Sequence, residues 1–239
     1  MKHKVIGGGG IGSRVVEQLV RLVDPATVTV IDGDTLETKN LDRQLFNQSA
    51  VGRNKAEALA EKYGTGFIPE YYSCGAFNGM DNTTLLWCCA DNNTCRREVL
   101  DECDLNRCWA ILAGNEYTDA EAMLYERGLR NGPHDPRTIY PAILTDHQND
   151  PLGPPGCVEL SEDSPQLVLA NVWAASFALH LYWFHFREHQ AVDKRASQRC
   201  TGEHAVLAME KAYWPIHHKV NFLQFSTIRR LHRQEVINA

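Results

Sequence analysis

Near the N-terminus, Gly7-Gly8-Gly9-Gly10-Ile11-Gly12 contains the spacing G-x-G-x-x-G, and Asp32 lies twenty residues beyond Gly12. Glycines let a backbone turn tightly and approach a phosphate, and a helix opening behind them presents free N–H groups and the positive end of its dipole. A carboxylate twenty residues on can accept hydrogen bonds from a ribose. The combination predicts an adenine nucleotide. Arg43 and Lys55 then weigh on which one, because a redox dinucleotide has no general need for two cations here, whereas a triphosphate does.

The stretch Asp32-Gly33-Asp34, then Asn40-Leu41-Asp42-Arg43-Gln44, then Lys55, resembles the family that includes ThiF, MoeB and the ubiquitin-activating enzymes. The likeness continues at Cys89-Ala90-Asp91-Asn92-Asn93-Thr94-Cys95-Arg96, placed like that family's metal-aspartate segment. It spans four ordered motifs between residues 5 and 100 and is looser beyond. The resemblance implies roles residue by residue. Gly7, Gly9, Gly10 and Gly12 would cradle the phosphates, and Asp32 would hold the ribose. Asp34 and Asn40 would shape the pocket, Arg43 and Lys55 would neutralise the triphosphate, and Gln44 would support Arg43. Asp91 would bind Mg²⁺, with Arg96 beside it. It further implies an ATP-dependent adenylyltransferase acting on the C-terminal carboxylate of a ubiquitin-like or sulfur-carrier protein with a Gly-terminated tail, working as a homodimer, with a ubiquitin-conjugating-enzyme-like protein as a further acceptor.

Eight cysteines fall at 74, 88, 89, 95, 103, 108, 157 and 200, without any C-x-x-C pair, so no structural zinc is expected. Cys88, Cys89 and Cys108 sit in apolar runs and read as small buried hydrophobes, and Cys95 and Cys103 share one helix. Cys157 follows Gly153-Pro154-Pro155-Gly156. Its placement is similar to the nucleophilic cysteine of ubiquitin-activating relatives, which takes the acyl group as a thioester. Glu159 and Glu162 nearby would oppose thiolate formation. Many family members carry an N-terminal helix that gives an arginine to the neighbouring subunit. This chain starts too close to its first strand to hold that helix, so another arginine would replace it or turnover would be weak.

The elements that must position these residues alternate. His3 to Ile6, Thr27 to Ile31, Gly66 to Tyr72, Leu85 to Cys89 and Cys108 to Ala113 read as strands. Ile11 to Val23, Val51 to Tyr63 and Asn93 to Cys103 read as helices. Such alternation predicts an α/β fold: a Rossmann-like, mostly parallel sheet with helices on both faces and a long crossover loop. Residues 1–127 would form the adenylation core and 128–165 the loop, which holds seven of the ten prolines and should contain no helix. Residues 166–239 would complete the same domain, with an apolar helix at Leu167 to Phe186 and a strand around Val220, Phe222 and Phe225. Asn171, Ser176, His180 and His185 interrupt that helix, which favours burial in a domain over a membrane span.

With 239 residues, 24 Lys+Arg and 30 Asp+Glu, the chain has a net charge of −6, and no basic field recruits nucleic acid or anionic lipid. The thiol pattern and the absence of a secretory signal point to a reducing cytosol. Three other readings stand beside adenylation of a protein tail. Adenylation of a small molecule or modified tRNA base would share every nucleotide motif, although only the C-terminal cluster from Lys219 to Arg233 offers a basic face. An NAD-dependent oxidoreductase leaves Arg43, Lys55 and Asp91 unexplained. A non-catalytic partner subunit would not need those three residues.

Overall fold

The computed structural model describes residues 1–115, 119–145, 168–188 and 217–221. Five parallel strands form its centre: β1 (Lys2–Ile6), β2 (Val28–Ile31), β3 (Gly66–Ile68), β4 (Thr84–Cys88) and β5 (Trp109–Asn115). Two antiparallel strands, β6 (Asp119–Tyr125) and β7 (His217–Asn221), extend it. The order across the sheet is β3-β2-β1-β4-β5-β6-β7. Because β1 leads to β2 on one side and the chain later returns to β4 on the other, the strand order reverses between β1 and β4. Ligands of open α/β sheets bind beyond the strand C-termini at that reversal.

Alternation along the strands produces two cores. Val5, Val30, Leu85, Trp87, Ile111 and Ala113 point to one face, covered by α1 (Gly12–Leu19), α2 (Lys55–Tyr63) and α6 (Val168–Tyr182). Ile6, Ile31, Leu86, Cys88, Ala110 and Leu112 point to the other, covered by α3 (Asn93–Asn106) and α5 (Ala142–Thr145). The period-two pattern buried on both faces is what a central parallel sheet requires. The expected Rossmann-like sheet with helices on both faces is therefore present. Cys88, Cys89, Cys95, Cys103 and Cys108 are all buried in these cores.

Three features differ from the sequence expectation. Strand β6 was not anticipated: Asp-Ala-Glu-Ala-Met-Leu-Tyr is rich in helix formers, and pairing with β5 and β7 overrides that propensity. The start of the proline-rich stretch contains α4 (Pro136–Ile139) as well as α5, both single turns. Pro136 occupies the first turn of α4, where a missing N–H costs nothing, and Asp135 caps it. The apolar helix α6 exists, but it buries a stripe of small residues, Ala170, Ala174, Ala175 and Ala178, rather than most of its surface. Val168, Leu169, Val172 and Trp173 on its outer side are exposed. Among the described residues no helix is long and apolar enough to cross a membrane. The strand expected near Val220 is β7; Phe222 and Phe225 lie outside the described residues, as do Cys157, Cys200 and residues 146–165 of the expected crossover loop.

Segment 128–145 is fastened to the sheet by a buried ionic cluster. Arg137 Nη1 donates to Asp104 Oδ2 at 2.8 Å and its Nε to Asp135 Oδ1 at 3.0 Å, while Nη2 donates to the Tyr125 hydroxyl. That hydroxyl donates to Asp104 Oδ1 at 2.6 Å. Each carboxylate thus has a charged partner and further hydrogen bonds, which is the condition for tolerating buried ions.

Candidate nucleotide-binding site

A cleft of about 1020 Å³ opens at the C-terminal ends of β1 and β4. The glycine loop forms its floor. Gly7 has φ of 88°, open to glycine at little cost, and a Cβ there would lie 3.0 Å from the backbone N of Ala90. Gly12 plays a different part from the cradling expected of it. It does not line the cleft, and a Cβ on it would sit 1.8 Å from the carbonyl oxygen of Gly7, so glycine lets α1 close against β1. The start of α1 carries no side-chain cap and no acidic residue in its first turn.

Asp32, at the end of β2, is 7% exposed and holds the loop in shape. Its Oδ2 accepts from Gly8 N at 2.5 Å and its Oδ1 from Asp34 N at 2.8 Å. Burial raises the carboxyl pKa, against the pull of Lys55 and the two backbone donors. Asp34 balances the other way. Burial would raise it, but the hydrogen bond and charge of Lys55 and the hydroxyl of Tyr71 together hold it below its ordinary value. Lys55 Nζ donates to Asp34 Oδ2 at 2.7 Å, and Tyr71 donates to Oδ1 at 2.7 Å.

Lys55 owes its position to a residue the sequence reading passed over. Asn54 caps α2, with Oδ1 accepting from Glu57 N at 3.1 Å, and its Nδ2 donates to the carbonyls of Asp32 at 2.8 Å and Asp34 at 3.2 Å. One amide thereby locks the start of α2 onto the Asp32–Asp34 turn. An Asn directly before a helix is a readable N-cap signal. Tyr71 was also missed. Its ring lies where a Cβ on Gly33 would come within 2.8 Å, at the edge of the cleft.

Asn40 is buried, and its Oδ1 accepts from Glu37 N at 3.0 Å, closing the turn that carries Arg43 and Gln44. Arg14, reaching from α1, donates to the carbonyls of Gly10 at 2.6 Å and Arg43 at 2.7 Å. The Arg43 backbone is thus tied to the glycine loop by Arg14. Gln44 instead packs its amide near Gly9, 3.8 Å from the position of a Cβ, and leaves a buried Oε1 without a partner. On the opposite wall, Asn92 caps α3 by accepting from Cys95 N at 2.7 Å, which leaves Asp91 exposed in the cleft. Arg96 Nη1 donates to Asn93 Oδ1 at 3.0 Å, and its Nη2 lies 3.0 Å from where a Cβ on Gly114 would be. Of the twelve residues expected at the nucleotide, all but Gly12 therefore line one cleft.

Among the described residues no group of three or more His, Cys, Asp or Glu gathers as a metal cage. A single exposed carboxylate fits Mg²⁺, which is held by one or two carboxylates together with phosphate oxygens and water. The loop without Cβ atoms and the unpaired Gln44 oxygen fit a nucleotide in the same way. Burial raises the Cys74 thiol to about 11, with Glu102 adding to the effect, and raises Cys89; burial likewise raises Cys103. The hydrogen bond to Cys88 and burial raise Cys95. These thiols are poor nucleophiles.

Residues 1–65 match the model of the ThiF family. Over 214 residues the chain is 26% identical to the adenylyltransferase and sulfurtransferase UBA4 of Yarrowia lipolytica, covering 82% of this chain and 53% of that protein. Over 60 residues it is 47% identical to the NEDD8-activating enzyme E1 catalytic subunit of Caenorhabditis elegans, covering 25% and 14% respectively. The chain spans about half, or less, of the length of these relatives. The crystal structure of E. coli MccB superposes with a TM-score of 0.53 at 19% identity, covering 77% of this chain and 54% of that one, a likeness of fold.

Proposed function

The chain belongs to the ThiF/E1-like superfamily, and from that premise we propose that it adenylates, with ATP and Mg²⁺, the C-terminal carboxylate of a ubiquitin-like or sulfur-carrier protein. The observation that carries this reading is the convergence of the glycine loop, Arg43, Lys55, Asp91 and Arg96 in one cleft at the strand reversal.

In this reaction a carboxylate oxygen bonds to the α-phosphorus of ATP, the bond from that phosphorus to the bridging oxygen breaks, and pyrophosphate leaves with the electron pair. Two anions must approach one another, so the rate depends on fixed positive charge. Gly7, Gly9 and Gly10 leave the backbone open to phosphate, and Asp32 stands where ribose hydroxyls would be accepted. Arg43 and Lys55 screen the triphosphate, and Asp34 holds the Lys55 side chain in place until phosphate competes for it. Mg²⁺ held at Asp91 would further neutralise the departing pyrophosphate. Arg96 lines the wall beside it.

Cys157, as a thioester nucleophile that receives the acyl group and releases AMP, belongs to the same proposal, as do a homodimeric assembly and a ubiquitin-conjugating-enzyme-like acceptor. The direct test uses α-phosphate-labelled ATP and a small protein ending in Gly-Gly. Label should appear on that protein as an acyl-adenylate, and not on the same protein with an amidated C-terminus. Equal labelling of the two would remove the carboxylate from the reaction.

A further inference from the structure

Asn171 is the polar intruder in the small-residue stripe of α6. It is 1% exposed, it lines the cleft, and its Nδ2 has no hydrogen-bond partner. Buried amide donors are rarely left unmade, because their desolvation is then uncompensated. Alanine occupies the neighbouring stripe positions 170, 174, 175 and 178, so packing against the sheet and α1 does not call for an amide at 171. The side chain lies against the glycine loop. A Cβ on Gly10 would meet Asn171 Oδ1 at 2.7 Å and Nδ2 at 2.8 Å, so the amide occupies the space that glycine leaves.

Three further facts say what the free donor meets. Gly10 lies two residues before α1, whose N-cap, Ile11, gives no side-chain hydrogen bond, and an anion is favoured at such a helix start. The carbonyl of Gly10 accepts from Arg14, which also holds the Arg43 backbone, and it makes no hydrogen bond with Asn171 Nδ2. The unmet group is a donor, and its complement is an oxygen with lone pairs. We propose that Asn171 is a phosphate-recognition residue: its Nδ2 donates to a phosphate oxygen of a nucleotide held on the glycine loop, adding a side-chain donor from the helix after the crossover segment to those of the loop. This rests on the nucleotide reading of the cleft given above and adds a residue to it.

The test is titration of the full chain with MgATP and, separately, with adenosine, for the wild type, Asn171→Leu, Asn171→Asp and Arg43→Ala. Leucine keeps approximate volume without a donor, and aspartate replaces the donor with an anion. MgATP affinity should fall roughly 10- to 100-fold in Asn171→Leu, the range for loss of a hydrogen bond to a charged group. It should fall further in Asn171→Asp. Adenosine affinity should stay within about twofold of the wild type in both, and the melting temperature of unliganded Asn171→Leu should not drop. If leucine disturbs folding, the aspartate variant reads the same question. Wild-type MgATP affinity in both variants, beside a loss in Arg43→Ala, would overturn the assignment while leaving the nucleotide site standing. An equal loss for adenosine and MgATP would overturn it in favour of packing. Failure of the wild type to bind either ligand would overturn the nucleotide reading itself, and this assignment with it.

Discussion

Single atoms at the glycine loop set the tolerance of the site. At Gly12 a methyl group has nowhere to go, since the obstructing atom is the backbone carbonyl of Gly7 and cannot rotate aside. Gly12→Ala is therefore expected to destabilise the chain by about 1–3 kcal/mol, as overpacking does, and to show it as a lower urea midpoint at unchanged slope. Cysteine chemistry is also decided residue by residue. With Cys95 buried and its thiol raised, a reducing-agent-sensitive adduct with the partner protein should persist in Cys95→Ala and vanish in Cys157→Ala. Retention of the adduct in Cys157→Ala would place the nucleophile elsewhere. At this scale the sequence was informative where a residue type is demanded by chemistry, as with Asp32, Arg43, Lys55 and Asp91. It was silent on Asn171, which reads only as a break in hydropathy until α6 is laid against Gly10. Tyr71 was absorbed into an expected strand, although β3 ends at Ile68 and frees it to reach Asp34.

Elements followed the same logic. The five parallel strands were legible because each is a short apolar run between helix signals, and capping residues such as Asn54 and Asn92 mark where α2 and α3 begin. Strand β6 was not, because its Ala-Glu-Ala-Met-Leu composition favours helix and only its neighbours make it a strand. The one-turn helices α4 and α5 escaped because proline density argues against helix, although Pro136 at the first turn is compatible with one. Arg137 joins α4 to α3 and β6 through carboxylates that are themselves buried. Replacing it by methionine leaves Asp135 without its cationic partner and Asp104 with the exposed Arg130 at 3.4 Å in its place, so Arg137→Met should cost about 3 kcal/mol in chemical unfolding. Arg53→Met, whose bonds to Glu57 and Glu61 lie at the surface, should be nearly neutral by the same measurement.

Across the whole molecule, His3 joins the sheet to α6. Its Nδ1 accepts from Trp87 Nε1 at 3.3 Å, and its ring meets Tyr182 edge-on at 5.3 Å. Burial, with the charged N-terminus and Arg187 adding to it, lowers its pKa to about 4. Below the unfolded value of 6.5 the unfolded chain takes up a proton that the folded chain refuses. Stability is therefore complete above about pH 6.5 and declines as pH falls toward 4, by about 3 kcal/mol from this group. Unfolding free energies across that window should slope accordingly, and less steeply in His3→Gln. The net charge of −6 is likewise a property of the whole, yet the cleft holds the local positive charge of Arg43, Lys55 and Arg96 among the carboxylates of Asp32, Asp34 and Asp91. That local charge is what the adenylation account stands on. Exchange of labelled pyrophosphate into ATP, driven by a protein with a free Gly-Gly tail, tests it most directly in the wild type, Arg43→Ala and Asp91→Ala. The account expects robust exchange in the wild type and a fall of about 10²-fold or more in each folded variant; exchange at wild-type rates in both variants would contradict it.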